Sequence, residues 1–326
     1  MPQTGPRNLI TDVPGLKVGN AEDSAVITGV TVVLPDSPCI AAADVRGGGP
    51  GTREIQVMDP ENLVDRIDAV VLSGGSAFGL DAAGAVMNRL AHRGRGFAVG
   101  PHHIPIIPAA ILFDLMNGGN KHWGEEPPYR ELGRSALDAI DTDFALGNAG
   151  AGMGATAGPL KGGLGSASLV LDDGTVVGAL VAANPTGSVV MDDGRTFWAW
   201  ALERDGEFGG NPPPGAPSPE AGATATGLPG ANTTIAVVAT DAALSKGQAK
   251  RVAMMAQDGL ARAIRPIHTP FDGDTVFALS TAGRSDDVDP ARLSQIGSAA
   301  ADCLARAVAR AVWHAEPAGA YPAYRG

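Results

Sequence analysis

The chain has 326 residues, of which 44% are hydrophobic, 18% charged and 5% aromatic, with 45 glycines and 25 prolines. A formal charge of −11 at pH 7 argues against a general nucleic-acid or anionic-membrane surface, and the mean hydropathy of +0.05 fits a globular chain with ample core material. With few aromatics the core has to come from Ala, Val, Leu and Ile, with many close backbone approaches. The uncharged apolar stretch 104–112 is short and interrupted by Pro105 and Pro108, so no membrane span is expected. The N-terminal segment has neither the basic head nor the apolar run of a signal peptide, and two cysteines, Cys39 and Cys303, make no disulfide framework. These features predict a cytoplasmic protein.

In chain order, residues 26–34 read as a strand, and 69–72 as a short buried strand ending at Ser73-Gly74-Gly75. Residues 78–90 read as a helix. Residues 168–171 and 175–182 flank Asp172-Asp173-Gly174, a hairpin signal. A second Asp-Asp-Gly at 192–194, between 188–191 and 195–198, predicts another hairpin, and the two together favour antiparallel sheet. In residues 209–230, twelve of 22 positions are Gly or Pro, and none is Ile, Val or aromatic. Such a segment buries too little surface to offset its ordering entropy and is predicted to be a mobile linker. Beyond it, residues 234–240 form a buried strand, and Ser245 caps a helix with Val252, Met255, Ala256, Gly259 and Ala263 on one face. Residues 275–280 make another strand. Asp289-Pro290 opens a last helix whose inward face carries Leu293, Ile296, Ala300, Cys303, Leu304 and Ala307.

The change from linker to core strand falls at Asn232-Thr233-Thr234-Ile235. A hydroxyl residue at the first position of a buried strand, behind a loose loop, has the layout of a self-cleaving precursor. The Thr233 hydroxyl can attack the Asn232 carbonyl, giving an ester that water hydrolyses. The freed α-amine of Thr233 has a reference pKa of about 7.7–8.0, suited to act as base for its own hydroxyl. A threonine at a strand start is also common for its β-propensity alone.

Several blocks in order resemble the L-aminopeptidase/D-esterase family, which includes β-peptidyl aminopeptidases and nylon-oligomer endo-hydrolases. They are ITDVPGLKVG (10–19), VRGGGPGTR (45–53), LSGGSAFGL (72–80), GAGMGATA (150–157), KGGLGSAS (161–168), NTTI (232–235), ATD (239–241) and DGDT (272–275). The resemblance covers most of the chain. It implies an α/β (α+β) fold, a four-layer αββα sandwich resembling N-terminal-nucleophile hydrolases. It further implies a single domain, 1–326, cut between Asn232 and Thr233 into an α subunit, 1–232, and a β subunit, 233–326. Short peptides or oligoamides are the implied substrates, no cofactor is implied, and a homotetramer of cleaved protomers is expected.

Carried across by position, the resemblance makes Thr233 the nucleophile, Lys161 its neighbouring amine, Asn184 an oxyanion donor, and Asp272 and Asp274 the orienting carboxylates. That acid pair is also expected to hold the charge of Lys161. Phe113, Gly152 and Met153 are expected at the substrate. Two departures stand out. Family aminopeptidases are usually cut at Gly-Ser, whereas Asn232-Thr233 matches the nylon-oligomer hydrolases, and Phe113 stands where relatives carry a catalytic tyrosine but has no hydroxyl to donate.

Three other readings compete with this one. Residues 150–158 satisfy a dinucleotide-binding G-x-G-x-x-A pattern, with Asp172 twenty residues beyond Gly152, but they follow no apolar strand and run into Pro159 and Gly162-Gly163. Ser76 follows a strand and Gly74-Gly75, but a G-x-S-x-G elbow needs glycine at Phe78. The six histidines form no metal-binding motif, so no metal is expected. A non-catalytic binding protein is the remaining alternative.

Overall fold

The computed structural model describes residues 2–215, 232–284 and 286–326. Most of the predicted linker, residues 216–230, lies outside the described residues. In chain order the principal elements are β1 (Leu16–Asp23), β2 (Thr28–Pro35), β3 (Cys39–Val45), β4 (Val70–Ser73), α1 (Asp81–His92), β5 (Ala109–Ile111) and α2 (Tyr129–Asp138). They continue with β6 (Gly163–Val170), β7 (Val176–Asn184), β8 (Thr233–Thr240), α3 (Lys246–Ala263), β9 (Thr275–Ser280) and α4 (Pro290–Trp313).

The side chains of β8 alternate between two apolar surroundings, because successive residues of a strand point to opposite faces. Ile235, Val237 and Ala239 enter a core shared with a second sheet, while Ala236 and Val238 enter a core beneath α3 and α4. β7 and β9 behave likewise: Leu180 and Phe277 face the other sheet, and Val181 and Val276 face the helices. Strands covered on both sides read as unbroken apolar runs, and each fully buried Val, Ile or Leu contributes about 1.5–3 kcal/mol.

The first sheet runs Gln3–Thr4, β6, β7, β8, β9, β3, Arg66–Ile67, with only β8 and β9 parallel. The second runs β1, β2, β4, β5, Thr52–Arg53, with only β4 and β5 parallel. A third core joins the outer face of the second sheet, through Val30, Val32 and Val71, to Ala82, Val86 and Leu90 of α1 and Leu132 and Ala136 of α2. The order helix, sheet, sheet, helix is the expected αββα sandwich.

Both late helices start where their capping residues predict. Ser245 and Gln248 exchange bonds of 3.2 and 2.8 Å, and Asp289 accepts the Arg292 N–H at 2.8 Å ahead of Pro290. The hairpin around 172–174 forms as predicted, with β6 and β7 paired in full antiparallel register. The predicted hairpin at 192–194 is corrected. It makes a single bridge between Val190 and Phe197, because Asp193 turns its carboxylate onto the Arg195 and Thr196 N–H groups and a short helix begins at Trp198. The structure also goes against the rival dinucleotide reading. Gly150–Gly152 is one short turn followed by the strand pair Thr156–Ala157 and Leu160–Lys161, so no helix N-terminus is offered to a phosphate. Ser76 opens the short helix Ser76–Leu80 with φ 51°, before α1.

The scarcity of aromatics is met by close layers. A Cβ on Gly165 of β6 would lie 2.0 Å from the Ala307 carbonyl oxygen of α4, so helix and strand backbones are nearly in contact. α4 also holds the chain that leads to the linker: buried Arg306 donates to Glu207 at 2.6 Å, to Asn8 at 2.9 Å and to the Ser168 carbonyl at 3.1 Å. Among the described residues no helix is long and apolar enough to cross a membrane.

Gly165→Ala is expected to force α4 off the sheet and lower stability by about 1–3 kcal/mol, read as a reduced urea midpoint. An unchanged midpoint would show that the two layers are not held at this distance.

Candidate active site

The C-terminal end of β7 and the N-terminal ends of β8 and β9 meet at one end of the first sheet. The register there places Asn184 directly opposite Thr233. Thr233 is 2% exposed, and its hydroxyl donates to the carbonyl oxygen of Asn232, the residue before it. The Gly273 N–H donates to the same oxygen at 3.1 Å. Position 273 has room for no side chain, since a Cβ would stand 2.7 Å from both Thr233 Oγ1 and the Gly49 carbonyl oxygen. One carbonyl thus has a hydroxyl beside it and a backbone N–H on its oxygen, and the latter is the kind of donor that stabilises charge developing on an acyl oxygen.

Both aspartates flanking Gly273 are fully buried and hydrogen-bonded. Asp272 accepts the Thr186 N–H at 3.0 Å, the Thr269 N–H at 3.0 Å and the Thr269 hydroxyl at 2.5 Å. Asp274 accepts the Thr234 N–H at 2.8 Å through Oδ1, while His268 faces its Oδ2, with the ring Nδ1 at 2.8 Å and the backbone N–H at 3.2 Å. Burial pushes the Asp274 carboxyl up from the usual range; the His268 bond opposes this and the Asp272 charge adds to it. The loop 46–49 clamps this turn through Arg46 N–H on the Asp274 carbonyl, at 3.0 Å, and Gly49 N–H on the Asp272 carbonyl, at 2.8 Å.

Lys161 is 1% exposed and donates to the carbonyl oxygens of Gly152, at 2.9 Å, and Gly162, at 3.0 Å. Burial brings its amine down to about 7, against a weaker upward pull from Asp114. Its short strand, Leu160–Lys161, pairs with Thr156–Ala157 and runs into β6, whose Gly163 stands opposite Ala183 of β7. Asn184 Oδ1 accepts from the Thr156 N–H at 2.8 Å, and its Nδ2 donates to the Phe113 carbonyl at 3.1 Å. Of the residues expected at the substrate, Gly152 holds Lys161, Met153 closes the Gly150–Gly152 turn, and Phe113 orients Asn184 through its backbone.

The structure therefore gathers Thr233, Asn232, Asn184, Asp272 and Asp274 around one peptide bond, with Lys161 on the short strand paired to Thr156, whose N–H donates to Asn184. It differs from the expectation that the acid pair holds Lys161, since the carboxylate acting electrostatically on that amine is Asp114. Asp114 received no role in the sequence reading. It is buried, accepts the Thr28 hydroxyl at 2.6 Å and the Gly75 N–H at 2.8 Å, and its carboxyl is pushed up by burial. His268 was likewise missed, and nothing in the sequence pairs it with Asp274 across the intervening turn. The available signal for Asp114 was a lone acid closing an apolar strand-end run, Ala109-Ala-Ile-Leu-Phe-Asp114. A cavity of about 410 Å³ opens beside Asn232, with Thr156, Thr186, Ser188, Arg265 and Tyr321 among its walls.

The profile of Peptidase family S58 matches residues 8–323. The chain is 46% identical over 343 residues to an uncharacterized aminopeptidase of Mycobacterium tuberculosis, covering 98% of this chain and 97% of that one. It is 32% identical over 301 residues to the 6-aminohexanoate-oligomer endohydrolase of Kocuria sp., covering 88% and 77% of the two chains. Among solved structures, it resembles the L-aminopeptidase D-Ala-esterase/amidase of Ochrobactrum anthropi, described as a variant of the Ntn-hydrolase fold. The TM-score is 0.72 at 25% identity over 96% of this chain and 88% of the other.

The depressed Lys161 amine has a consequence for stability. Its ordinary value is 10.5 and its folded value about 7, so between these pH values the unfolded chain binds the extra proton. Folding stability should therefore rise with pH through this window and lose that contribution as pH falls to 7. In a Thr233→Ala background, urea unfolding should gain about 2 kcal/mol between pH 7.5 and about 9.5, a gain that Lys161→Met removes. An equal rise in both proteins would mean that Lys161 is not held in its neutral form.

Proposed function

The chain belongs to peptidase family S58 and is an amide-bond hydrolase; from that premise we propose that it is a self-processing enzyme whose nucleophile is Thr233. The observation that carries the reading is the Asn232 carbonyl, which accepts both the Thr233 hydroxyl and the Gly273 N–H.

In the first step Thr233 Oγ1 bonds to the Asn232 carbonyl carbon through a five-membered ring, and its proton passes to a neighbouring base. Lys161 is assigned that role, because its burial leaves a share of the amine unprotonated near neutral pH. Gly273 N–H stabilises the oxyanion. The C–N bond then breaks, the departing nitrogen takes up a proton, and an ester joins Asn232 to the Thr233 oxygen. Water hydrolyses the ester, leaving a carboxylate on Asn232 and both a free hydroxyl and a free α-amine on Thr233. The products are chains 1–232 and 233–326, and the new C-terminus at Asn232 is no longer bonded to the nucleophile.

In turnover the α-amine of Thr233 accepts the hydroxyl proton as Oγ1 attacks a substrate amide. Asn184 has a second side-chain N–H for the oxyanion, its first being held by Phe113. Asp274 fixes the chain beside the nucleophile through Thr234, and Asp272 braces the turn that presents Gly273. The acyl-enzyme is released by water. Substrates are assigned as short linear amides: peptides with a free amino end, β-peptides or 6-aminohexanoate oligomers. The matching Asn-Thr junction and the Kocuria relative favour the last class. An assembly of four cleaved protomers and a cytoplasmic location complete the reading.

Intact mass spectrometry of the wild type should give fragments of 232 and 94 residues (326 − 232 = 94), whereas Thr233→Ala should remain one chain without turnover. An active Thr233→Ala protein would sink the assignment. Lys161→Ala is expected to slow processing by about 10²–10⁴-fold. Asn184→Ala should cut turnover by about 10²–10³-fold. Wild-type rates in either variant would remove the role given to that residue.

A further inference from the structure

His268 lies on the turn beside the Thr233 junction and faces Asp274. Its φ is +56°, in the left-handed region that histidine and asparagine enter more readily than most other non-glycine residues. Its ring Nδ1 lies 2.8 Å from Asp274 Oδ2, and its own backbone N–H reaches the same oxygen at 3.2 Å. The other carboxylate oxygen is taken by the Thr234 N–H. Against an ionised carboxylate, which only accepts, the Nδ1 nitrogen is the donor. Nε2 is buried with no partner among the described residues, which fits an unprotonated acceptor better than an orphaned N–H.

The charged surroundings give this contact its importance. Asp272, two residues away and also buried, repels a charge on Asp274. Arg46, from the loop packed on this turn, spends its guanidinium on Asp44, at 2.8 Å, and on the Met254 carbonyl, at 3.0 Å; only its backbone N–H reaches Asp274. Among the described residues, the ring of His268 is thus the side-chain donor to Asp274. We infer that His268 is a positioning residue: its imidazole fixes the Asp274 carboxylate, and Asp274 in turn holds the nucleophile Thr233 in place through the Thr234 N–H. This rests on the role proposed above for Asp274.

Two substitutions separate the donor from the backbone. His268→Asn keeps a nitrogen donor at the same distance along the side chain and tolerates φ +56°, while His268→Gly tolerates the backbone but has no donor. In the uncut Thr233→Ala protein, the titration of the Asp274 carboxyl followed by carbon NMR should move up by about one pH unit or more in His268→Gly. It should stay close to the parent in His268→Asn. In the self-cleaving protein, the acid limb of the cleavage rate should shift upward in His268→Gly and be restored in His268→Asn. An Asp274 titration unchanged in His268→Gly, or shifted equally in both variants, would overturn the inference. Failure of the wild type to cleave would instead count against Thr233 as nucleophile, and the carboxyl titration would still decide His268.

Discussion

The arrangement depends on a strand that begins, in the middle of a sheet, at the residue that carries the hydroxyl. Thr233 is the first residue of a strand flanked on both sides, opposite Asn184 on β7 and two residues ahead of the first parallel pair with β9. The peptide bond before it is therefore pinned on its C-terminal side by a full ladder of sheet hydrogen bonds. On its N-terminal side it is held by what the neighbouring turn supplies. That turn, 269–274, is itself fixed by Thr186 from the end of β7 and by the backbone of loop 46–49. Rigid elements converge on a single carbonyl, so little reorganisation is needed when charge develops there.

Such a site is costly to build. Lys161, Asp114, Asp272 and Asp274 are all buried at this end of the sandwich, and burial disfavours the charged form of each group that it perturbs. The structure answers with backbone groups in place of water. Carbonyls of Gly152 and Gly162 face the amine, and N–H groups of Gly75, Thr186, Thr269 and Thr234 face the carboxylates. Glycine-rich segments are what allow main chain to come this close, which accounts for the glycine content where function is concentrated. Three separate apolar cores supply the stability that offsets the expense.

Legibility in the sequence followed the range of the interaction. Strands β8 and β9 and helices α3 and α4 were readable because apolar period and capping residues act within a few positions. The strand boundary at Thr233 and the family blocks pointed to the same junction. The Asp-Asp-Gly at 192–194 misled because the local turn chemistry is the same whether or not two strands go on to pair. Asp114 and His268 escaped notice for a different reason: their meaning lies in contacts with Thr28, Gly75 and Asp274 that no spacing rule encodes.

What the sequence determined by itself is the elements of the C-terminal third and several of those before it, the αββα class and the position of the hydroxyl residue at a linker-to-strand junction. Each is written in short-range pattern or in ordered blocks of resemblance. Only the tertiary structure decided which carbonyl the Thr233 hydroxyl faces, that Gly273 shares it, that Lys161 is dry, and that the charge acting on that amine is Asp114. Those facts depend on burial and on the meeting of segments from opposite ends of the chain. Both are properties of packing, and neither exists until the two sheets have closed on one another.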